Sequence, residues 1–239
     1  MKQKIISLLP VLLLMQLASF ADGYWLELQG NGKKGDTLYI RIRYGGVDEQ
    51  KNRYINNGAA LNKMKDFSLL VIAPDGTGRP VPLKQYADYW QGCYIPTANG
   101  IYQVLATDNQ LPVVEREDSS QNIKPVQYLC TTYVTGNGKK GQSPASYLYQ
   151  EISIKNDTAL VKPFINGKPV PPGTSLRVFF PDNQDKKIVV TDLGTAMLPL
   201  PSKGVYLVRL DQLNSQTGLF EGKKYYAVRH RCDYSLIVK

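Results

Sequence analysis

Leu38-Tyr39-Ile40-Arg41-Ile42-Arg43-Tyr44 is the stretch that decides the fold class. Successive side chains of an extended chain point to opposite faces. Leu38, Ile40 and Ile42 therefore share one side, and Tyr39, Arg41 and Arg43 the other. That alternation predicts a half-buried strand with one solvated face. The same grammar continues outward. Phe67 to Ala73 is a short apolar run stopped by the turn residues Pro74-Asp75-Gly76. Gly100 to Ala106 and Pro125 to Val134 read as two more strands, and the polar stretch from Gln110 to Asn122 between them as a long exposed loop. Downstream, strands are predicted at Tyr149 to Ile154, Leu176 to Phe180, Lys187 to Thr191, Val205 to Leu210, Tyr225 to Arg229 and Tyr234 to Val238. Turns such as Asn166-Gly167 and Pro172-Gly173 separate some of them. No amphipathic helix of ten or more residues stands out, and Gly58 to Asp66 is the best helical candidate.

Composition shifts between Thr135 and Pro144, a Gly- and Lys-rich stretch without apolar periodicity that reads as a linker. Short strands with regular turn signals on both sides point to an all-β chain of two tandem β-sandwich domains. The expected boundaries are 22–135 and 148–239, joined by 136–147.

The first 21 residues carry a different signal. Lys2 and Lys4 precede an apolar run from Ile5 to Leu17, which ends in Ala18-Ser19-Phe20-Ala21. Charge, short apolar core and small residues at the cut make a secretory signal peptide, removed before Asp22. A membrane span needs about 20 apolar residues, and this run is shorter and holds Pro10 and Gln16. Without a cysteine at the cut, no lipid anchor is expected. The processed chain is thus placed in the periplasm or outside the cell, and not across a membrane.

The formal net charge is +9; the leader takes away two lysines and no acid, leaving +7. Such a balance favours anionic partners. Yet the lysine pairs, such as Lys139-Lys140 and Lys223-Lys224, are scattered beside turn residues, where solvated charge is the simpler reading, and no specific nucleic-acid contact is expected. Three cysteines, Cys93, Cys130 and Cys232, in an oxidising compartment imply one disulfide and one spare thiol. Three pairings are open. Cys93 with Cys130 is preferred because both fall in the first predicted domain.

Several motifs follow a familiar order: Asp22-Gly23-Tyr24-Trp25-Leu26-Glu27-Leu28, Gly32-Lys33-Lys34-Gly35, Ala73-Pro74-Asp75-Gly76 and Gly100-Ile101-Tyr102. Asn166-Gly167-Lys168-Pro169-Val170, Leu198-Pro199-Leu200-Pro201, Gly204-Val205-Tyr206 and Tyr225 to His230 continue it. In this order the chain resembles a family of exported bacterial proteins that includes periplasmic components of nickel and cobalt uptake. Its second half resembles regulatory domains of carboxypeptidases, which implies an immunoglobulin-like or transthyretin-like sandwich. The resemblance implies a nickel or cobalt ion as cofactor, but here Asp22 and Gly23 stand where relatives begin with histidine. Imidazole suits such ions better than carboxylate alone. The one histidine is His230, so a metal site must draw on Asp22, the new α-amine and His230.

Catalytic patterns are sparse. A Ser-His-Asp arrangement has only His230 as its base, and no Gly-x-Ser-x-Gly or His-Glu-x-x-His is present. Gly30-x-Gly32-x-x-Gly35 sits between strands, so it reads as a turn and not a dinucleotide loop. Sixteen tyrosines against six phenylalanines favour recognition by ring faces and hydroxyls. The densest cluster is Tyr86, Tyr89 and Trp90, with core packing as the competing use of the same rings. The expectation is an exported, non-catalytic binding or accessory protein. The alternatives are a nickel- or cobalt-binding uptake component and a structural or adhesive partner of an outer-membrane transporter. Candidate partners are an envelope protein or transporter, a metal ion or a glycan.

Overall fold

The computed structural model describes residues 23–48, 50, 52–137 and 144–239. The predicted leader, Asp22 and the centre of the predicted linker lie outside the described residues. Strands dominate. The first half contains β1 (Gly23–Gln29), β2 (Leu38–Val47), β3 (Arg53–Ile55), β4 (Ser68–Ile72) and β5 (Gly78–Val81). It continues with β6 (Lys84–Gln85), β7 (Trp90–Tyr94), β8 (Gly100–Asp108) and β9 (Ile123–Thr135). The second half contains β10 (Leu148–Lys155), β11 (Thr158–Ile165), β12 (Lys168–Pro169), β13 (Ser175–Phe179) and β14 (Asp185–Val189). It ends with β15 (Ala196–Pro199), β16 (Gly204–Phe220) and β17 (Lys223–Val238). Among the described residues no helix is long and apolar enough to cross a membrane.

Strands from both halves meet in one eight-stranded sheet, ordered β14-β13-β16-β17-β9-β8-β4-β5. Every pairing in it is antiparallel except the central one, where β17 runs parallel to β9 with Cys232 opposite Tyr128 and Tyr234 opposite Cys130. This parallel seam joins the N-terminal strands to the C-terminal ones.

Two smaller sheets cover opposite faces of the long one. Alternation along β9 shows it directly, because Tyr128 and Cys130 enter one core whereas Leu129 and Tyr133 enter the other. The first core packs Leu176, Val178, Tyr206, Val208 and Leu210 of the long sheet against Leu148, Ala159, Val161, Ala196 and Leu198. Those last residues belong to the four-stranded sheet of β10, β11, β12 and β15. The second core packs Leu69, Val71, Tyr102, Val104 and Leu129 against Leu26, Leu38, Ile40 and Ile42. Its covering sheet is five-stranded, in the order β1-β2-β7-β6, with β3 also paired to β2. The alternation that opened the sequence reading is met here: Leu38, Ile40 and Ile42 are fully buried and Tyr39 is exposed.

Some elements differ from the sequence reading. Gly58–Met64 forms a 3₁₀ helix instead of an α-helix, anchored by buried Leu61 and Met64. The polar stretch from Gln110 to Asn122 contains a 3₁₀ turn at Ser119–Gln121 and a bridge between Val114 and Ile123. β11 was not anticipated, because Pro163 and the alternating Lys162 weaken its strand signal. The two predicted final strands are one, β17. Arg231 and Asp233 look like a break in sequence, yet Asp233 is buried because Arg209 and Gln127 bind its carboxylate. The expected Cys93–Cys130 pairing is corrected as well. Cys93 is exposed on β7, whereas buried Cys130 has Cys232 as its neighbour, the two sulfurs 3.4 Å apart.

Candidate functional site

Odd-numbered residues of β17 point away from the first core, toward the side that β1 covers. Arg229, Arg231, Asp233 and Ser235 line up there, and the Ser235 hydroxyl accepts a hydrogen bond from the Leu26 backbone at 2.9 Å. Three of these four are accounted for. The Arg209 guanidinium binds Asp233 from Nε at 2.7 Å and Nη2 at 3.3 Å, with both side chains buried. Burial alone would depress Arg209, and the Asp233 charge beside it more than restores it, so its pKa is raised. Arg231 Nε donates to Asp211 Oδ1 at 2.8 Å.

Arg229 is the exception. Its Nε is buried and finds no acceptor among the described residues. Burial pushes its pKa down, and repulsion by Arg231 adds to that; Asp211 opposes, and Arg209 and Arg116 repel further. A guanidinium carries five donors and cannot shed its charge at physiological pH. A half-buried one whose Nε meets no acceptor among the described residues is costly to hold, although Asp211 offsets part of that cost.

Arg229 lines a groove of about 450 Å³. Arg231, Pro125 and Gln127 line it too; Lys63, Lys65 and Asp66 come from the 3₁₀ helix and the residues after it. Asp108, Gln110, Leu111, Pro112 and Glu221 add to the lining. The 109–111 loop is pinned by a lysine. Lys124 is buried and its ammonium donates to the carbonyls of Asn109 and Leu111, both at 2.6 Å. Burial lowers the Lys124 pKa, against the opposing pull of Asp108 and Glu221. Asp108 is also buried, which raises its pKa, although its carboxylate accepts from the Gln110 backbone at 2.8 Å. The groove therefore has a held shape, mixed charge, and in Arg229 Nε a donor that meets no acceptor among the described residues.

The aromatic cluster singled out in sequence lies elsewhere, on the outer side of the five-stranded sheet. Tyr86 and Tyr89 stack with centroids 5.0 Å apart, and the guanidinium groups of Arg41 and Arg43 sit 4.7 and 4.8 Å from the Tyr89 ring centre. Arg43 is paired with Glu27 at 2.9 Å and Asp88 at 2.5 Å, and Arg41 with Gln91 at 3.0 Å. Trp90 packs against the second core and donates its indole N–H to the Leu61 carbonyl at 3.1 Å. Only Tyr86 of the three is exposed, so most of the cluster is engaged within the fold.

His230 points to the opposite face of β17 from Arg229. Its Nδ1 lies 3.0 Å from the Tyr128 hydroxyl, and its ring is 4.3 Å from that of Tyr147. Burial lowers its pKa. Asp22, the other proposed metal ligand, lies outside the described residues. Among the described residues no group of three or more His, Cys, Asp or Glu is gathered closely enough to hold a metal.

Sequence reasoning missed the groove because nothing local marks Arg229. That its Nε meets no acceptor among the described residues depends on what β9 and β16 bring near it, at separations of around a hundred positions for β9. No known family profile matches the chain, and no curated protein shows significant similarity to it.

Proposed function

We propose that the protein is an exported, non-catalytic binding protein whose groove takes a ligand bearing an anionic oxygen, a carboxylate or phosphate, seated against Arg229. The buried, unanswered Nε of Arg229 carries this reading. A planar guanidinium suits such oxygens by its fork of parallel donors. The neighbouring Asp66, Asp108 and Glu221 argue for a ligand that also offers donors, such as an acidic sugar or amino acid. Export rests on the leader-like N-terminus, and the two separate cores support two sandwich units of immunoglobulin-like or transthyretin-like kind.

The test is a melting-temperature series on the processed chain and on Arg229→Met, with citrate, galacturonate and inorganic phosphate at matched ionic strength. A ligand that binds only the folded state raises its melting point in proportion to the logarithm of concentration. At least one probe is expected to stabilise the parent and not the variant. Equal responses of both proteins to all three probes would overturn the groove assignment.

A further inference from the structure

We propose that Cys130 and Cys232 form a disulfide across the parallel seam between β9 and β17, leaving Cys93 as the free thiol. The two sulfurs lie 3.4 Å apart in the first core, on strands separated by 102 positions in sequence. Cys232 is fully buried and Cys130 nearly so. The register places Cys130 opposite Tyr234 and Cys232 opposite Tyr128, so the cysteines are diagonal neighbours on one face. Strand twist shortens one of the two diagonals between adjacent strands, and the short sulfur contact identifies this one as such. A sulfur–sulfur bond is about 2.05 Å long, so small rotations of two side chains and a slight tightening of the seam separate the contact from the bond. As thiols the pair contributes little, since S–H is a weak donor. Cys93, exposed on the outer side of the five-stranded sheet, has no such neighbour among the described residues.

The chemistry is thiol–disulfide exchange with an external disulfide, that of a thiol oxidoreductase or of oxidised glutathione. The thiolate of one cysteine attacks the donor disulfide, giving a mixed disulfide and releasing one donor thiolate. The second cysteine's thiolate then attacks the protein sulfur of that mixed disulfide and expels the other donor thiolate. Two protons and two electrons leave the protein, and the donor is reduced to two thiols. Both attacks need thiolate and access. In the folded protein Cys232 is fully buried and Cys130 nearly so, and burial holds the Cys232 pKa well up, so the bond forms before the seam closes. It would tie the N-terminal strands to the C-terminal ones at the one parallel pairing of the long sheet.

An oxidising location follows only from the export reading, so the experiment is made independent of it. The reduced, denatured chain is refolded by dilution into mixed oxidised and reduced glutathione. It is then denatured without reductant, alkylated with iodoacetamide and mapped by mass spectrometry. The expected result is alkylation at Cys93 alone, with a linked peptide pair containing Cys130 and Cys232 whose mass is two hydrogens below the sum of its reduced parts. Cys93→Ser should give the same linked pair and no alkylated site. Alkylation at all three positions, or a linked peptide containing Cys93, would overturn the proposal. Failure of the anion test above would leave this result unchanged.

Discussion

Asp233→Ala is the substitution that most directly probes how the two halves are joined. The Asp233 carboxylate is fully buried at the seam and accepts from Arg209 Nε at 2.7 Å, Arg209 Nη2 at 3.3 Å and Gln127 Nε2 at 2.9 Å. Removing it strands the Arg209 guanidinium, whose Nη1 already has no partner among the described residues, and frees one Gln127 donor. Breaking a buried ion pair from one side costs about 3–5 kcal/mol. The orphaned amide adds about 1 kcal/mol, part of which is already counted in the unpaired charge. A loss of about 4 kcal/mol is expected, equivalent to about 8–16 °C in melting temperature for a chain of this size. Urea unfolding followed by far-ultraviolet circular dichroism would read it as a lower midpoint at constant slope. The double variant Arg209→Met/Asp233→Leu should recover most of the loss, because apolar groups of similar volume replace a buried pair at little cost. A loss under about 1 kcal/mol in Asp233→Ala would mean that water reaches Arg209, and the seam would not be the dry junction described above.

Other consequences follow from the same packing. His230 has a lowered pKa, so below its ordinary value near 6.5 the unfolded chain takes up a proton that the folded one resists. Stability should therefore fall as pH drops from that value through the folded pKa, and His230→Gln should flatten that part of the profile; equal slopes in urea midpoints between pH 7.5 and 5, relative to the parent, would refute it. At Gly45 a Cβ would fall 2.1 Å from the Tyr54 carbonyl oxygen, a backbone atom with little room to move. Gly45→Ala should cost about 1–3 kcal/mol, whereas Gly78→Ala, facing the flexible Leu70 side chain at 3.4 Å, should cost far less. Expressed with its leader in a bacterium, the secreted or periplasmic chain should have an intact mass beginning at Asp22; an uncut chain retained with the cells would refute export.

Period-two patterning made much of the strand content readable. Leu38, Ile40 and Ile42 announce a buried face because each residue's environment in a strand is set by its own neighbours two positions away. Pro74-Asp75-Gly76 is equally local, and the Asp75 carboxylate does accept from the Thr77 backbone at 2.9 Å. What could not be read was long-range. Pairing of β9 with β17 has no sequence mark, since any two strands with compatible faces satisfy the same pattern. The choice of cysteine partners hangs on that pairing, and so does what Arg229 Nε meets. Sequence proximity favoured Cys93 for Cys130, but these lie on strands of different sheets.

Asp233 and Arg229 differ by four positions on one strand and present opposite solutions to buried charge. The first is met by three donors from two neighbouring strands, and the carboxylate and guanidinium cancel in place. The second is held beside Arg231 and within reach of Arg209 and Arg116, with Asp211 already bound to Arg231. If burial of charge at this seam served stability alone, an apolar residue at position 229 would do better, because among the described residues Asp211 offsets its desolvation only in part and its Nε meets no acceptor. A strand that neutralises one charge so fully could have neutralised the other. The unanswered one is also the one that faces an open groove whose loop is fixed by Lys124. Cost to the fold and a place in the lining of an open groove thus coincide at the Arg229 guanidinium, and that coincidence is the physical ground for proposing ligand recognition there and not on the self-satisfied tyrosine face.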